Sequence, residues 1–245
     1  MSKYLNVFNT LAEYQAFSAS TEYVQPNVAL VKETNVLYYD YGNNKPQVDM
    51  SDLKVESEEI SVGGDKYGKS AITKINYIPI GITNLSSAFD GLTNLVNAPE
   101  IPSGVTNLYS TFTNCSSLVN APEIPSGVTN LQSTFYNCTS LVSVPNIPSC
   151  VTNIGTTFYK CSSLVSVPNI PSGVTNMYWT FYNCSSLKEV TLLPTTPPNY
   201  NSILSGCSSL ENIYVPDESV DAYKTSTGWS EFADKIKPLS SKPTE

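Results

Sequence analysis

The chain has 245 residues, and neither arginine nor histidine is among them. All cationic side chains are lysines, 13 against 21 acids, giving a net charge of −8 and a pI of about 4.6. Nucleic-acid backbones are held by clustered cations that displace counterions, so an acidic chain without arginine is not expected to bind them. Without histidine, a serine or cysteine nucleophile lacks its usual base. The same absence, with no Cys-x-x-Cys spacing, argues against a zinc site. No glycine-rich phosphate loop occurs, and no cofactor is expected. No apolar run reaches the ~18 residues of a membrane span, so no membrane insertion is expected. The opening MSKYLNVFNTLAEYQ has no apolar signal core and no cleavage site, which points to synthesis and folding in a cytoplasm.

What the chain has is repetition. The segments IPSGVTNLYSTFTNCSSLVNAPE from Ile101 and IPSGVTNLQSTFYNCTSLVSVPN from Ile124 are nearly the same 23 residues, and other copies open at Ile78, Ile147, Ile170 and, degraded, Leu193. Such a period predicts a solenoid, in which each unit buries its apolar face on the next. In the copy from Ile101 the apolar positions are Ile101, Val105, Leu108, Phe112, Cys115, Leu118 and Ala121. Pro122 and Pro125 force an extended segment between Leu118 and Ile124. Val105, Leu108 and Phe112 fall at i, i+3 and i+7, which predicts one helical turn on the opposite wall. Seven strand stations at ~4.8 Å would make a rod roughly 30 Å long.

Charge divides the chain into three parts, residues 1–71, 72–215 and 216–245. The first does not repeat. Thr10 and Glu13 form a capping box ahead of Leu11, Tyr14 and Phe17, predicting a short helix. Val28–Val31 and Val36–Tyr39 flank Lys32–Asn35 as a hairpin with a four-residue loop. Asp52 to Val62 alternates loosely and is expected to add strands, while Gly63, Gly64 and Gly68 are expected to mark a mobile boundary. This part is either an α+β cap for the repeats or an attachment module for another protein. Ile72 to Pro79 has the apolar spacing of half a repeat acting as a lid. After Val215, Asp217–Ser219 can start a helix carrying Val220 and Tyr223, and Trp229, Phe232, Ala233 and Ile236 mark a second amphipathic turn. Both are expected to cap the open end, and the tail from Pro238 is expected to be disordered.

The pattern FxxCxSLxxVPxIPxxVTNL, with the ending IYVPDESVDAYKTSTGWSEFADKIKPL from Ile213, resembles the BspA-like leucine-rich repeats over about residues 72–238. That resemblance implies a right-handed α/β leucine-rich solenoid with adhesion or surface-recognition roles. One departure from the commonest version is the added residue in Pro145-Asn146-Ile147, which leaves the strand register open. The opening MSKYLNVFNTLAEYQAF is similar to N-termini of virion proteins from crAss-like tailed phages of gut bacteria, over about residues 1–45. This second resemblance implies a protein carried on a phage particle.

Several columns of residues are candidates for chemistry. Cys115, Cys138, Cys161, Cys184 and Cys207 recur once per copy, and Leu92 holds the same place in the first. Parallel side chains meet the disulfide dihedral badly, so the column is expected to be buried and reduced. Cys150 replaces a turn glycine and is expected to be exposed. Glu100, Glu123, Asn146 and Asn169 share one rung, a varied surface more than an acid/base pair. The sequons at Asn114, Asn137 and Asn183 are read as asparagines bonding turn backbone. Tyr136, Tyr159 and Tyr182 form an aromatic column, with Tyr109, Tyr178 and Trp179 close by; it serves either recognition or packing. The strand-side wall, with Val119, Asn120 and Glu123, suits a neutral glycan or a protein. Taken together, these features lead to a non-enzymatic virion protein. It would be anchored to capsid or tail proteins through residues 1–71, homo-oligomeric by analogy with virion fibres, and would contact a host glycan or protein through its repeats. The alternatives are a BspA-like adhesin at the bacterial cell surface and, more remotely, a glycan-degrading enzyme.

Overall fold

A computed structural model of the protein describes residues 72–75, 78 and 82–243, together with the backbone of five strands nearer the N-terminus. These are β1 (Leu5–Phe8), β2 (Asn27–Val31), β3 (Val36–Asp40), β4 (Glu59–Val62) and β5 (Asp65–Gly68). β2 and β3 pair antiparallel from Val31↔Val36 outward, the hairpin that their sequence predicts. β1 joins β2 in parallel, and β6 (Lys74–Ile75) joins β3, so this sheet reaches into the half repeat. β4 and β5 form a second hairpin with Val62 opposite Asp65. Gly63 and Gly64, where the sequence suggested a boundary, lie outside the described residues. The helix predicted from Thr10 to Phe17, and residues 52–58 of the predicted strand region, lie outside the described residues.

From Ile82 onward each copy is bonded to the next at equivalent positions. Parallel bridges join Asn84 to Asn107, Asn130 to Asn153 and Asn153 to Asn176, and a second ladder runs through Asn97, Asn120 and Ser143. The amides of Val119, Val142 and Val165 donate to the carbonyls of Val96, Val119 and Val142 at 2.9–3.2 Å. Of the apolar positions named from the sequence, all but the half-buried Ala121 are core residues. Val105, Leu108, Phe112, Cys115 and Leu118 are all buried, as are their counterparts in the next three copies. Phe112, Phe135, Phe158 and Phe181 stack in one column, with ring centroids 5.7, 6.0 and 5.6 Å apart.

The expected helical turn is replaced by a run of tight turns. Ser110 and Asn114 have φ of 52° and 60°, and equivalent residues in the other copies share this left-handed conformation. A helix would turn every amide onto its own segment. Here the amides of Thr111, Thr113 and Cys115 bond three residues back, while those of Ser110, Phe112 and Asn114 donate to Gln132, Thr134 and Tyr136 of the next copy. Alternation between local and inter-copy bonding gives every amide from Ser110 to Cys115 a partner. Asparagine and glycine bear the left-handed conformation best, and Gly91, Asn114, Asn137, Asn183 and Gly206 hold that place in five copies, with Lys160 in the other.

The C-terminal segment extends the ladder before closing it. β7 (Glu189–Thr191), β8 (Asn212–Val215) and β9 (Ile236–Pro238) form a parallel three-stranded sheet, with Ile213 opposite Ile236. Between β8 and β9 lie a 3-10 turn, the six-residue helix Val220–Thr225 and a second 3-10 turn, Trp229–Phe232. The Tyr223 hydroxyl donates to the Pro194 carbonyl at 3.0 Å, and the Trp229 indole donates to Pro198 at 2.7 Å. The proline-rich departure of the sixth copy is therefore the seat of these two aromatics. Contrary to the sequence expectation, the tail is ordered past Pro238. Leu239–Ser241 is a 3-10 turn, the Ser240 amide donates to Asp217 at 3.0 Å, and Lys242 pairs with Glu189 at 2.9 Å.

Candidate functional site

The cysteine column lies within the core. Cys115, Cys138, Cys161, Cys184 and Cys207 are buried, none is in a disulfide, and each Sγ donates to a phenylalanine carbonyl of the preceding copy at 3.0–3.2 Å. Burial pushes the thiols of Cys138, Cys161 and Cys184 well above the ordinary value, and that of Cys207 up to about 12. Neutral, donor-satisfied sulfur makes a poor nucleophile or metal ligand. Thr111, Thr134, Thr157 and Thr180 are buried with the same bonding to carbonyls of the copy before. Cys150 is exposed, its Sγ near the carbonyls of Ser126 and Val128. Of the sequon asparagines, Asn114 and Asn137 are half-buried and Asn183 is exposed; Asn137 Nδ2 donates to Asn114 Oδ1 at 3.0 Å, a side-chain bond where bonds to turn backbone were expected. Turn backbone is served instead by the Val-Thr-Asn asparagines. Asn107, Asn130 and Asn153 each accept the amide two residues on at 2.9 Å, a role that the repeated asparagine next to a turn could have signalled.

The aromatic residues form a continuous wall on the turn side. Tyr136 and Tyr159 stack at 4.6 Å and 2°, Tyr159 and Tyr182 at 5.0 Å and 7°. Stacked this closely, the rings occupy one another's faces and present edges and hydroxyls outward. Sugar stacking on those inner faces is blocked. The three hydroxyls have no bonding partner among the described residues. Trp179 stands beside this ladder at 6.4 Å and 53° from Tyr159, and with 48% of its surface exposed it is the most exposed large apolar residue described. Lys160 places Nζ 5.5 Å from the Tyr159 ring. Tyr178 has a different role. Its ring covers Gly155, where a Cβ would come within 2.4 Å of it, and its hydroxyl accepts from Gln132 Nε2 at 2.7 Å. Tyr109 is exposed three copies away from Tyr178 and does not join the cluster.

The rung of Glu100, Glu123, Asn146 and Asn169 is exposed throughout, but only the asparagines line an open groove of about 570 Å³, with Glu189 and Lys242 at its far end. A change of register makes it. Ser166 pairs with Glu189, 23 positions on, whereas Ile170 pairs with Leu192, only 22 on. Three residues, Val167-Pro168-Asn169, thus lie opposite two, Val190 and Thr191, and the groove forms a ledge beside them. Among the described residues no group of three His, Cys, Asp or Glu converges to hold a metal, and no helix is long and apolar enough to cross a membrane.

Copies with a leucine or isoleucine core, bonded to one another through parallel bridges, define a leucine-rich repeat protein. The profile of the BspA type leucine rich repeat region matches residues 60–180 and 157–228, in six copies, and the chain belongs to that family. No curated protein matches it. Among solved structures it is similar to a leucine-rich repeat protein from Bacteroides ovatus, at 24% identity and TM-score 0.46, covering 81% of this chain and 48% of that one. It thus spans about half the length of that protein. It is also similar to a leucine-rich repeat protein of T. pallidum, at 21% identity and TM-score 0.48, covering 80% and 84%. A third similarity is to a leucine rich cell surface protein from Faecalibacterium prausnitzii, at 19% identity and TM-score 0.34, covering 64% and 67%.

Proposed function

We propose that the chain is a non-enzymatic adhesion protein of the BspA type, displayed at a bacterial cell surface, that engages a protein partner through its aromatic wall. In this reading residues 72–215 form a right-handed solenoid of 23-residue coils. Residues 1–71 are an attachment or capping module, and residues 216–245 close the far end. The observation that carries it is Trp179, nearly half exposed beside a tyrosine ladder whose hydroxyls have no partner among the described residues. Tryptophan and tyrosine held rigidly at a surface are the residues that dominate protein–protein binding energy. Closed ring faces along the ladder favour a protein over a stacked sugar at this wall.

The family match spans residues 60–228, whereas the resemblance to virion proteins concerns about 1–45, so the surface adhesin becomes the first reading and the phage particle the second. Capsid or tail partners and homo-oligomerisation belong to that second reading. Stoichiometric recovery of the chain from purified virions would reinstate it. For the first, labelled full-length chain is measured on bacterial and epithelial cells by flow cytometry, as wild type, Trp179→Ala and Tyr159→Ser. Binding should fall at least ten-fold in the tryptophan variant, and should vanish after protease treatment of the cells. Undiminished binding in Trp179→Ala, or Trp179-dependent binding that survives protease, would sink the proposal.

A further inference from the structure

We infer that the ledge between the ends of the fourth and fifth copies is a separate binding site, built for an uncharged, hydroxyl-rich ligand of the oligosaccharide class. Its volume, about 570 Å³, is that of a small-molecule pocket. Its electrostatics are closed. Glu189 and Lys242 face each other at 2.9 Å, and Lys242 Nζ also donates to Thr191 Oγ1 at 3.0 Å. An ionic ligand would have to break that pair to find a counter-charge, at a desolvation cost that a neutral one avoids.

The hydrogen-bonding capacity points to hydroxyls. Asn146 and Asn169 are exposed on the rim, one copy apart, and neither side chain bonds within the described residues. Each amide offers a carbonyl acceptor and two N–H donors, which suits groups that both donate and accept. Val167 and Pro168 beside them give an apolar surface for the C–H face of a sugar ring. A peptide adding as a strand would need backbone donors along the rim. Prolines at positions 145, 148, 168 and 171 remove them, so strand addition is disfavoured. The chemistry is also local: the first two copies carry Ala-Pro-Glu at this station, and only the third and fourth carry Val-Pro-Asn. Neutral amides coincide with the register step.

Calorimetric titration of the full chain with short manno-, gluco- and galacto-oligosaccharides at millimolar concentration tests this, with sulfated oligosaccharides and an unstructured peptide run alongside. At least one neutral sugar should bind saturably and with little dependence on salt. Binding should weaken about ten-fold or more in the Asn146→Ala, Asn169→Ala double variant, the loss expected from two or three neutral hydrogen bonds. It should be unchanged in Trp179→Ala, which separates this site from the aromatic wall. Both asparagines are exposed, and circular dichroism of the double variant checks that its fold is retained. The inference is overturned if no neutral sugar binds, if the sulfated sugar or the peptide binds in preference, or if the double variant binds like wild type.

Discussion

Alkali should unfold the repeats by ionising thiols that the fold keeps neutral. Burial raises Cys138, Cys161 and Cys184 well above the ordinary value and Cys207 to about 12, whereas an unfolded chain ionises them around 9.0. With the folded value raised, the stabilisation is complete below about pH 9 and declines as pH rises toward the folded values, because there the unfolded state binds fewer protons. At about pH 10 an unfolded thiol is roughly nine-tenths ionised, which favours unfolding by about 1.4 kcal/mol for each group still neutral in the native state. Four such groups sum to roughly 6 kcal/mol, comparable with the whole stability of an ordinary domain. Urea midpoints followed by circular dichroism under a reductant, near pH 8, 9 and 10, measure this for wild type and Cys161→Ala. The variant should be weaker near pH 8, having lost its buried sulfur and its bond to the Phe135 carbonyl. Its stability should then fall with pH less steeply than that of wild type, since one of the titrating groups is gone. Equal slopes for the two proteins would refute the reasoning.

Three further outcomes follow from the packing. Phe135→Ala, which loses two stacked neighbours, should cost about 3–5 kcal/mol in denaturant titrations. Phe89→Ala, which loses the one ring contact described for it, to Phe112, should cost about 1 kcal/mol less. Asn137 has φ of 58°, so Asn137→Gly should cost no more than about 1 kcal/mol, the loss of its bond to Asn114, while the branched Asn137→Val should cost about 1–2 kcal/mol more. A small aromatic disulfide reagent, followed by absorbance, should label Cys150 alone in the native protein and reach the other five of the six thiols only when urea is added.

The core was legible because it is periodic: Val105, Leu108, Phe112, Cys115 and Leu118 occupy inward positions that their spacing alone identifies. The helical turn was misread because i, i+3, i+7 spacing fits a run of tight turns equally well. What distinguishes the two is the residue at the left-handed positions, and Gly91, Asn114, Asn137, Asn183 and Gly206 in one register carry that signal in the sequence. The ordered tail was less accessible. Ser240 and Lys242 are held by Asp217 and Glu189, distant partners that no local pattern in LSSKPTE reveals. The groove was half legible: the additional residue at Pro145-Asn146-Ile147 put the register in question. Only the paired strands show that the slip falls between Ser166 and Ile170.

Where a column of a stacked repeat is uniform, it tends to be self-satisfying. At spacings near 5 Å equal neighbours serve one another: tyrosine rings cover tyrosine rings, asparagine amides bond asparagine amides, and cysteine thiols find the same carbonyl in every copy. Such columns build the scaffold and leave little over for a partner. Binding capacity appears where a column is interrupted. Trp179 stands in a column otherwise held by Ser87, Ser110, Ser133, Thr156 and Ser202, and its ring has no equal neighbour to lie against. Asn146 and Asn169 follow two glutamates and precede the register slip, so their amides face an open ledge. On this argument the residues that depart from the repeat, more than those that define it, locate its two candidate surfaces, and substituting a uniform column should alter stability before it alters binding.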